Sequence, residues 1–253
     1  MIFPDLRARE TKNAHVEAIE DGWCLRLDQG ESNNYRLAQL DNNSSLNRKS
    51  FPYKPPFHLK LRARASQTSL PGTWGFGLWN DPFGLSLGSG ATRGRLPTLP
   101  NTAWFFFASK ENYLSFTDRQ VGNGAMAAVF RSPLIPTLFL LPALITLPLL
   151  KLPTTSRWLR KQASALIDHN AASVNIDLTE WHFYSLSWET NAVIFSIDGN
   201  SVFESKLVPQ PPLALVLWID NQFAAWRPDG RVGYGILPTS DDSWVEITNI
   251  EID

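Results

Sequence analysis

The sequence predicts an all-β protein, a two-sheet antiparallel sandwich of jelly-roll type. Three observations point there. Most segments alternate apolar and polar residues with period two. Gly, Pro and Asn turns bound them. Helical spacing is confined to an insertion at 133–170. The 253 residues suit one large sandwich. No linker or second compositional block interrupts them, so a single domain over 1–253 is expected.

The elements follow in order. His15–Glu20 and Trp23–Leu27 flank Asp21-Gly22 as a hairpin, and Tyr35–Leu40 is a further strand. Phe57–Ala65 sets Leu59, Leu61, Ala63 and Ala65 against Lys60, Arg62 and Arg64, a strand with one wet face. Thr73–Asp81 puts Gly75, Gly77 and Trp79 on one face, where glycine marks close approach of a ligand or makes room for a large neighbour. Gly84–Gly94 is a loop without the strand–helix context of a phosphate site. Thr102–Ser109, Tyr113–Thr117 and Ala125–Arg131 are strands.

Pro133–Leu150 carries no charge, but four prolines interrupt any membrane-spanning helix. It reads as a packed insertion, a lid, or a peripheral membrane contact. Ser156–Asn170 follows as a short helix, with Ser156 as N-cap and Trp158, Gln162, Ala165 and Leu166 along one face.

The organising stretch is Glu180–Gln222. It holds strands at Trp181–Trp188, Val193–Asp198 and Leu213–Ile219, the last apolar enough to be buried on both faces. Asp198-Gly199 supplies the positive φ of a tight hairpin. Trp226–Gly235 reads as a loop and Trp244–Ile250 as the strand that closes the sheet beside the N-terminal strands.

These residues carry a resemblance. Trp181-His182-Phe183-Tyr184, Trp188, Val193-Ile194-Phe195, Asp198-Gly199, Pro209 and the strand ending in Trp218 resemble the concanavalin A-like lectin/glucanase fold, in particular family 16 glycoside hydrolases. Pro71-Gly72-Thr73-Trp74 followed by Trp79 resembles the strand preceding their catalytic strand. The similarity spans about Phe51 to Asp253. It implies a concave sheet built from 73–81, 102–109 and 213–221. The family's catalytic strand reads Glu-x-Asp-x-(x)-Glu. The corresponding strand here, Ala103–Ala108, has no acid, and Glu111 stands alone in the turn beyond it. Retaining glycosidases need two carboxyls about 5–5.5 Å apart, so glycoside hydrolysis is not expected.

Composition excludes other classes. The net charge of −1 without a basic stripe argues against nucleic acid. Cys24 is the only cysteine, so no internal disulfide forms, and Met1–Asp5 opens no apolar signal region. A cytoplasmic protein is expected, with membrane association through Pro133–Leu150 as a variant. No metal site or cofactor is expected. The histidines lack zinc spacing, and Asp241-Asp242 lacks the run of oxygens that marks calcium.

The candidate site is an aromatic cleft for a carbohydrate or another ring-bearing small molecule. Trp79, Trp104, Trp218, Asn221 and His182 are its candidate binding residues. Asp220 shares a face with Trp218 and is the candidate acid, since burial beside aromatics favours a neutral carboxyl. Alternation leaves the inward face of Thr102–Ser109 open. Three functions follow: a binding module, an isomerase- or cyclase-type enzyme on a lipophilic substrate using Asp220, or a peripheral membrane protein.

Overall fold

Period-two patterning is realised as two large sheets in the computed structural model, which describes residues 6–82, 95–117, 122–135, 147–239 and 242–253. The N-terminal strands are β1 (Arg7–Glu10), β2 (Ala14–Ile19), β3 (Gly22–Leu27) and β4 (Leu37–Asp41). Then come β5 (Phe57–Ala65), β6 (Thr73–Trp79), β7 (Thr102–Ala108) and β8 (Gly124–Arg131). A helix, α1 (Pro153–Leu166), precedes β9 (Asp168–Ser173), β10 (His182–Trp188), β11 (Val193–Ile197) and β12 (Asn200–Ser205). The chain ends with β13 (Ala214–Asp220), β14 (Gln222–Trp226), β15 (Val232–Ile236) and β16 (Ser243–Ile252).

The first sheet has the order β1-β4-β13-β6-β7-β8-β9 and the second β12-β11-β10-β5-β16-β3-β2. All their pairings are antiparallel. β13 lies between β4 and β6 and is buried on both faces, as its apolar run predicts. β5 buries Phe57, Leu59, Leu61, Ala63 and Ala65 and leaves Lys60 exposed. On its wet face Arg62 lies over Trp181 and Phe183, and Arg64 over Trp181 and Trp244. β16 pairs with both β3 and β5, closing the second sheet where expected. Asp198 and Gly199 have φ of 50° and 78°, the two positive values that a tight β11–β12 hairpin requires.

The core lies between the sheets. Trp74 stacks on Phe107 with ring centroids 3.6 Å apart. Phe105 meets Tyr184 and Phe195 edge-on at 5.0 and 5.2 Å. These aromatic edges and faces fill the space that aliphatic side chains from β5 and β16 leave.

Several expectations change. Helix α1 starts at Pro153 behind Leu152, and Ser156 is inside it, buried, accepting a hydrogen bond from Trp226 Nε1 at 2.9 Å. Proline at the first helical position fixes φ and loses no bond there, which outweighs the Ser signal. The helix stops at Leu166, and Asp168–Ser173 pairs with β8 instead of continuing it. Trp226–Gly235 is largely the β14–β15 hairpin, and Tyr113–Thr117 contributes only an isolated bridge from Tyr113 to Ala225. β1 and β12 escaped the sequence reading. Leu147–Lys151 is a short 3-10 turn. Residues 136–146 of the apolar stretch, the Gly84–Gly94 loop, Met1–Asp5 and Asp241 lie outside the described residues.

Candidate functional site

Alternation sorts the first sheet into two faces. Trp74, Phe76, Leu78, Phe105, Phe107, Leu215 and Leu217 point to the core. Trp79, Trp104, Phe106, Val216 and Trp218 form a separate cluster on the outer face. Trp104, whose face the sequence left open, therefore joins Trp79, Trp218 and Asp220. The glycine trough on β6 is filled by neighbours: a Cβ on Gly75 would lie 2.7 Å from Trp218 Cη2, and one on Gly77, at φ +147°, 2.6 Å from Trp104 Cα. The ring centroids of Trp104 and Trp218 are 5.4 Å apart, and that of Phe106 lies 5.2 Å from Trp218. Trp79, Trp104 and Trp218 are only 9, 6 and 7% exposed, so they pack as a second apolar layer rather than as open platforms.

Polar groups on this layer fall in one row across the strands. Register pairs Trp79 with Thr102, Thr102 with Phe130, and Phe130 with His169. Trp104 lies two residues along β7 from Thr102, on the same face. Trp79 Nε1, Thr102 Oγ1, Trp104 Nε1 and His169 Nε2 are all buried without a hydrogen-bond partner among the described residues. Buried polar atoms are usually partnered, so four along one row is unusual. His169 stacks on Phe130 at 4.2 Å, and burial pushes its pKa down to about 4, so it is neutral at pH 7. Its Nδ1 lies 3.5 Å from Ser115 Oγ. The Ser115 hydroxyl already donates to the Thr117 carbonyl at 2.6 Å. The ring proton therefore belongs on Nδ1, and Nε2 is an acceptor. An open cavity of about 460 Å³ lies at this end, lined by Thr117, Ser164, Ile167, Asp168, His169 and Asn170, with Leu207.

Asp220 sits at the other end of the face. Its Oδ1 accepts from Thr73 Oγ1 at 2.9 Å, Gln222 N at 3.2 Å and Thr73 N at 3.3 Å. Thr73 Oγ1 in turn accepts from Trp218 Nε1 at 3.0 Å. Oδ2 has only the Tyr35 hydroxyl at 3.5 Å. Burial raises the Asp220 carboxyl to about 7 despite these bonds. Oδ2 is the less engaged oxygen, with more room for a proton when the carboxyl is neutral. Burial and the Asp220 charge hold the Tyr35 phenol well above its ordinary value.

Two candidate residues do not join this face. Asn221 is fully buried and braces loops: its Oδ1 accepts from Arg36 N, and its Nδ2 donates to the Asn34 and Leu237 carbonyls. Both amide N–H groups are thereby engaged within the fold. His182 belongs to the second sheet, held by Asp198 at 2.6 Å and the Asp177 carbonyl at 2.9 Å. Sequence reasoning missed Thr102 and His169. Their pairing across β6–β9 is a register property with no local signal.

On β7 the outer face carries Thr102, Trp104, Phe106 and Ala108 and no acid. Among the described residues of β4, β6, β7 and β13, Asp41 is the second carboxylate on this face, but register sets it opposite Val216, four residues along from Asp220. That is about 13 Å along the strand, too far for either two-carboxylate geometry. Asp41 is also tied to the Ser44 hydroxyl and amide and to Gln39. Asp81, just beyond β6, is paired with Arg95. Burial and the charges of Glu246 and Glu17 push the Cys24 thiol up to about 11, which leaves it protonated.

No protein-family model matches the chain, and no curated protein matches it. Solved structures do. A family 16 endo-glucanase from Bacteroides ovatus, in complex with G4G3G-2F-DNP, aligns with a TM-score of 0.50 and 11% identity, over 100% of this chain and 97% of that one. A glycoside hydrolase family protein from Mycobacterium thermorestibile scores 0.49 at 12% identity, over 92% and 76% of the two chains. A pseudo β-1,3-glucanase of Mycobacterium tuberculosis scores 0.46 at 12% identity, over 91% and 74%. At this identity the likeness concerns the fold: the chain has the concanavalin A-like sandwich architecture of family 16 glycoside hydrolases.

Proposed function

We propose that the protein binds a hydroxylated ring compound, a carbohydrate or another ring-bearing small molecule, on the outer face of the first sheet. Trp79, Thr102, Trp104 and His169 would hold its polar groups, and Trp104, Phe106 and Trp218 its apolar ones. The observation that carries this reading is the row of four buried, unpartnered polar atoms. An unpartnered indole alone would not suffice, because Trp188 Nε1 and Tyr184 Oη are also unpartnered between the sheets. Those two stand four residues apart on β10, about 13 Å. On the outer face Trp79 and Thr102 are directly paired and Trp104 lies two residues from Thr102, with His169 one strand beyond Phe130. The four thus border one apolar layer and together offer two N–H donors, a hydroxyl and an imidazole acceptor. A sugar-like ring presents hydroxyls that answer all three. Each buried group left unsatisfied costs about 1–3 kcal/mol, which a matching ligand recovers.

A thermal-shift and calorimetric screen of oligosaccharides against terpenoid and fatty ligands tests this. Trp79→Phe and Trp104→Phe keep a ring and delete the N–H. Each is expected to weaken a bound ligand about tenfold, or 1.4 kcal/mol. Unchanged affinity in both variants would refute the assignment.

A second reading rests on Asp220. A carboxyl that titrates near 7 at the end of an apolar face can deliver a proton from Oδ2 to a lipophilic substrate. Turnover by the wild type that disappears in Asp220→Asn, with binding retained, would favour it over simple binding.

A further inference from the structure

Helix α1 presents its apolar face outward. Its buried side carries Ser156 and Arg160, which fasten it to the body: Arg160 donates to the Trp226 and Ser115 carbonyls at 3.0 and 2.9 Å. The β14–β15 turn supports its start, where a Cβ on Gly230 would lie 2.8 Å from Arg157 Cγ. The face grouped by helical spacing, with Trp158, Gln162, Ala165 and Leu166, is therefore turned away from the protein. Trp158 is 59% exposed and Leu166 46%, and just ahead of the helix Leu149 and Leu152 are 45 and 56% exposed. Helical spacing puts Arg157 and Lys161 along one flank of Trp158, and Lys151 precedes the helix. No Asp or Glu occurs from Arg131 to Ile167. Among the described residues, Asp168 follows the helix end, and Asp229, in the turn beside the helix start, pairs with Arg231 at 2.6 Å.

We infer that this helix docks the protein on an anionic lipid surface, with Trp158, Leu152 and Leu166 in the headgroup boundary and Lys151, Arg157 and Lys161 on lipid phosphates and carboxylates. The combination of exposed Trp and Leu with a cationic flank and no acid is what an interfacial helix needs. A protein partner would have to match a uniformly positive rim, which an anionic leaflet does without further specificity. No described helix is long and apolar enough to cross a membrane, so the contact would be peripheral. The face differs from the tryptophan layer of the first sheet and does not depend on what that layer binds.

The test is co-sedimentation of the whole protein with phosphatidylcholine vesicles, with and without phosphatidylserine. The wild type is expected to bind the phosphatidylserine vesicles at low ionic strength and to be released by salt. Lys151→Gln/Arg157→Gln/Lys161→Gln is expected to lose roughly fivefold in partitioning per cation, and Trp158→Ser several-fold. Both variants should keep the wild-type melting temperature, because the side chains are exposed. The inference falls if the wild type stays in the supernatant with phosphatidylserine vesicles, or if the triple variant binds as the wild type does. It also falls if size-exclusion light scattering shows a dimer that Trp158→Ser dissolves, since the face would then be a self-interface.

Discussion

The two faces of the first sheet are built from the same residue types and differ in how their polar atoms are partnered. On the inner face Trp74, Phe76, Phe105 and Phe107 interlock with Tyr184 and Phe195 of the second sheet, and the result is a core. On the outer face Trp79, Trp104 and Trp218 are nearly as buried, yet polar atoms beside them have no partners among the described residues, and a carboxyl with a raised pKa closes one end. Aromatic content therefore does not by itself distinguish the faces; the site proposed above rests instead on the unbalanced polar groups, because folding alone gives no reason to bury them side by side.

The largest effect should come from the inner face. Phe105→Ala removes a ring that is 1% exposed and should cost about 3–5 kcal/mol in urea unfolding. Any ligand found should still bind the folded fraction of this variant. A loss of affinity as large as in Trp104→Phe would mean that the two faces are not separable.

The outer face should be distinguished by pH. Asp220 titrates near 3.8 when unfolded and near 7 when folded. The folded chain thus keeps a proton that the unfolded chain has released. The resulting stability is present below pH 4 and is lost as pH rises to about 7, by up to about 4 kcal/mol. His169 works in the opposite sense: its pKa falls from 6.5 to about 4, so its contribution is present above pH 6.5 and is lost as pH falls towards 4. The two slopes oppose each other in the wild type. Asp220→Asn should make stability rise with pH across this interval relative to wild type, and His169→Gln should make it fall. Parallel curves for all three proteins would contradict the burial assigned to both groups.

Much of the fold was legible in the residues. The alternation of Phe57–Ala65, the apolar run of Leu213–Ile219 and the Asp198-Gly199 turn each determine a local geometry strongly enough to be read alone. The helix boundaries were not, because Pro153 and the pairing of Asp168–Ser173 with β8 compete with the Ser156 cap signal. Of the site, Trp218 and Asp220 could be assigned to one face of one strand. The partnership of Thr102 with His169 could not, since it passes through Phe130 and depends on the register of three strands. The role of Asn221 could not be read for a similar reason: a buried amide at a strand end can serve a ligand or the neighbouring loops, and here its N–H groups go to the Asn34 and Leu237 carbonyls.

Thr102→Val tests the central claim most directly. Valine keeps the branched shape and deletes an oxygen that is buried without a partner among the described residues. If the row exists to meet a ligand, the free protein should become more stable by about 1 kcal/mol, a rise of about 2–4 °C in melting temperature for a chain of this size. The stabilisation by an oligosaccharide or other ring ligand should shrink at the same time. A variant that is destabilised by a similar amount, with ligand stabilisation unchanged, would show that the Thr102 hydroxyl serves the fold and that the row is not a binding site.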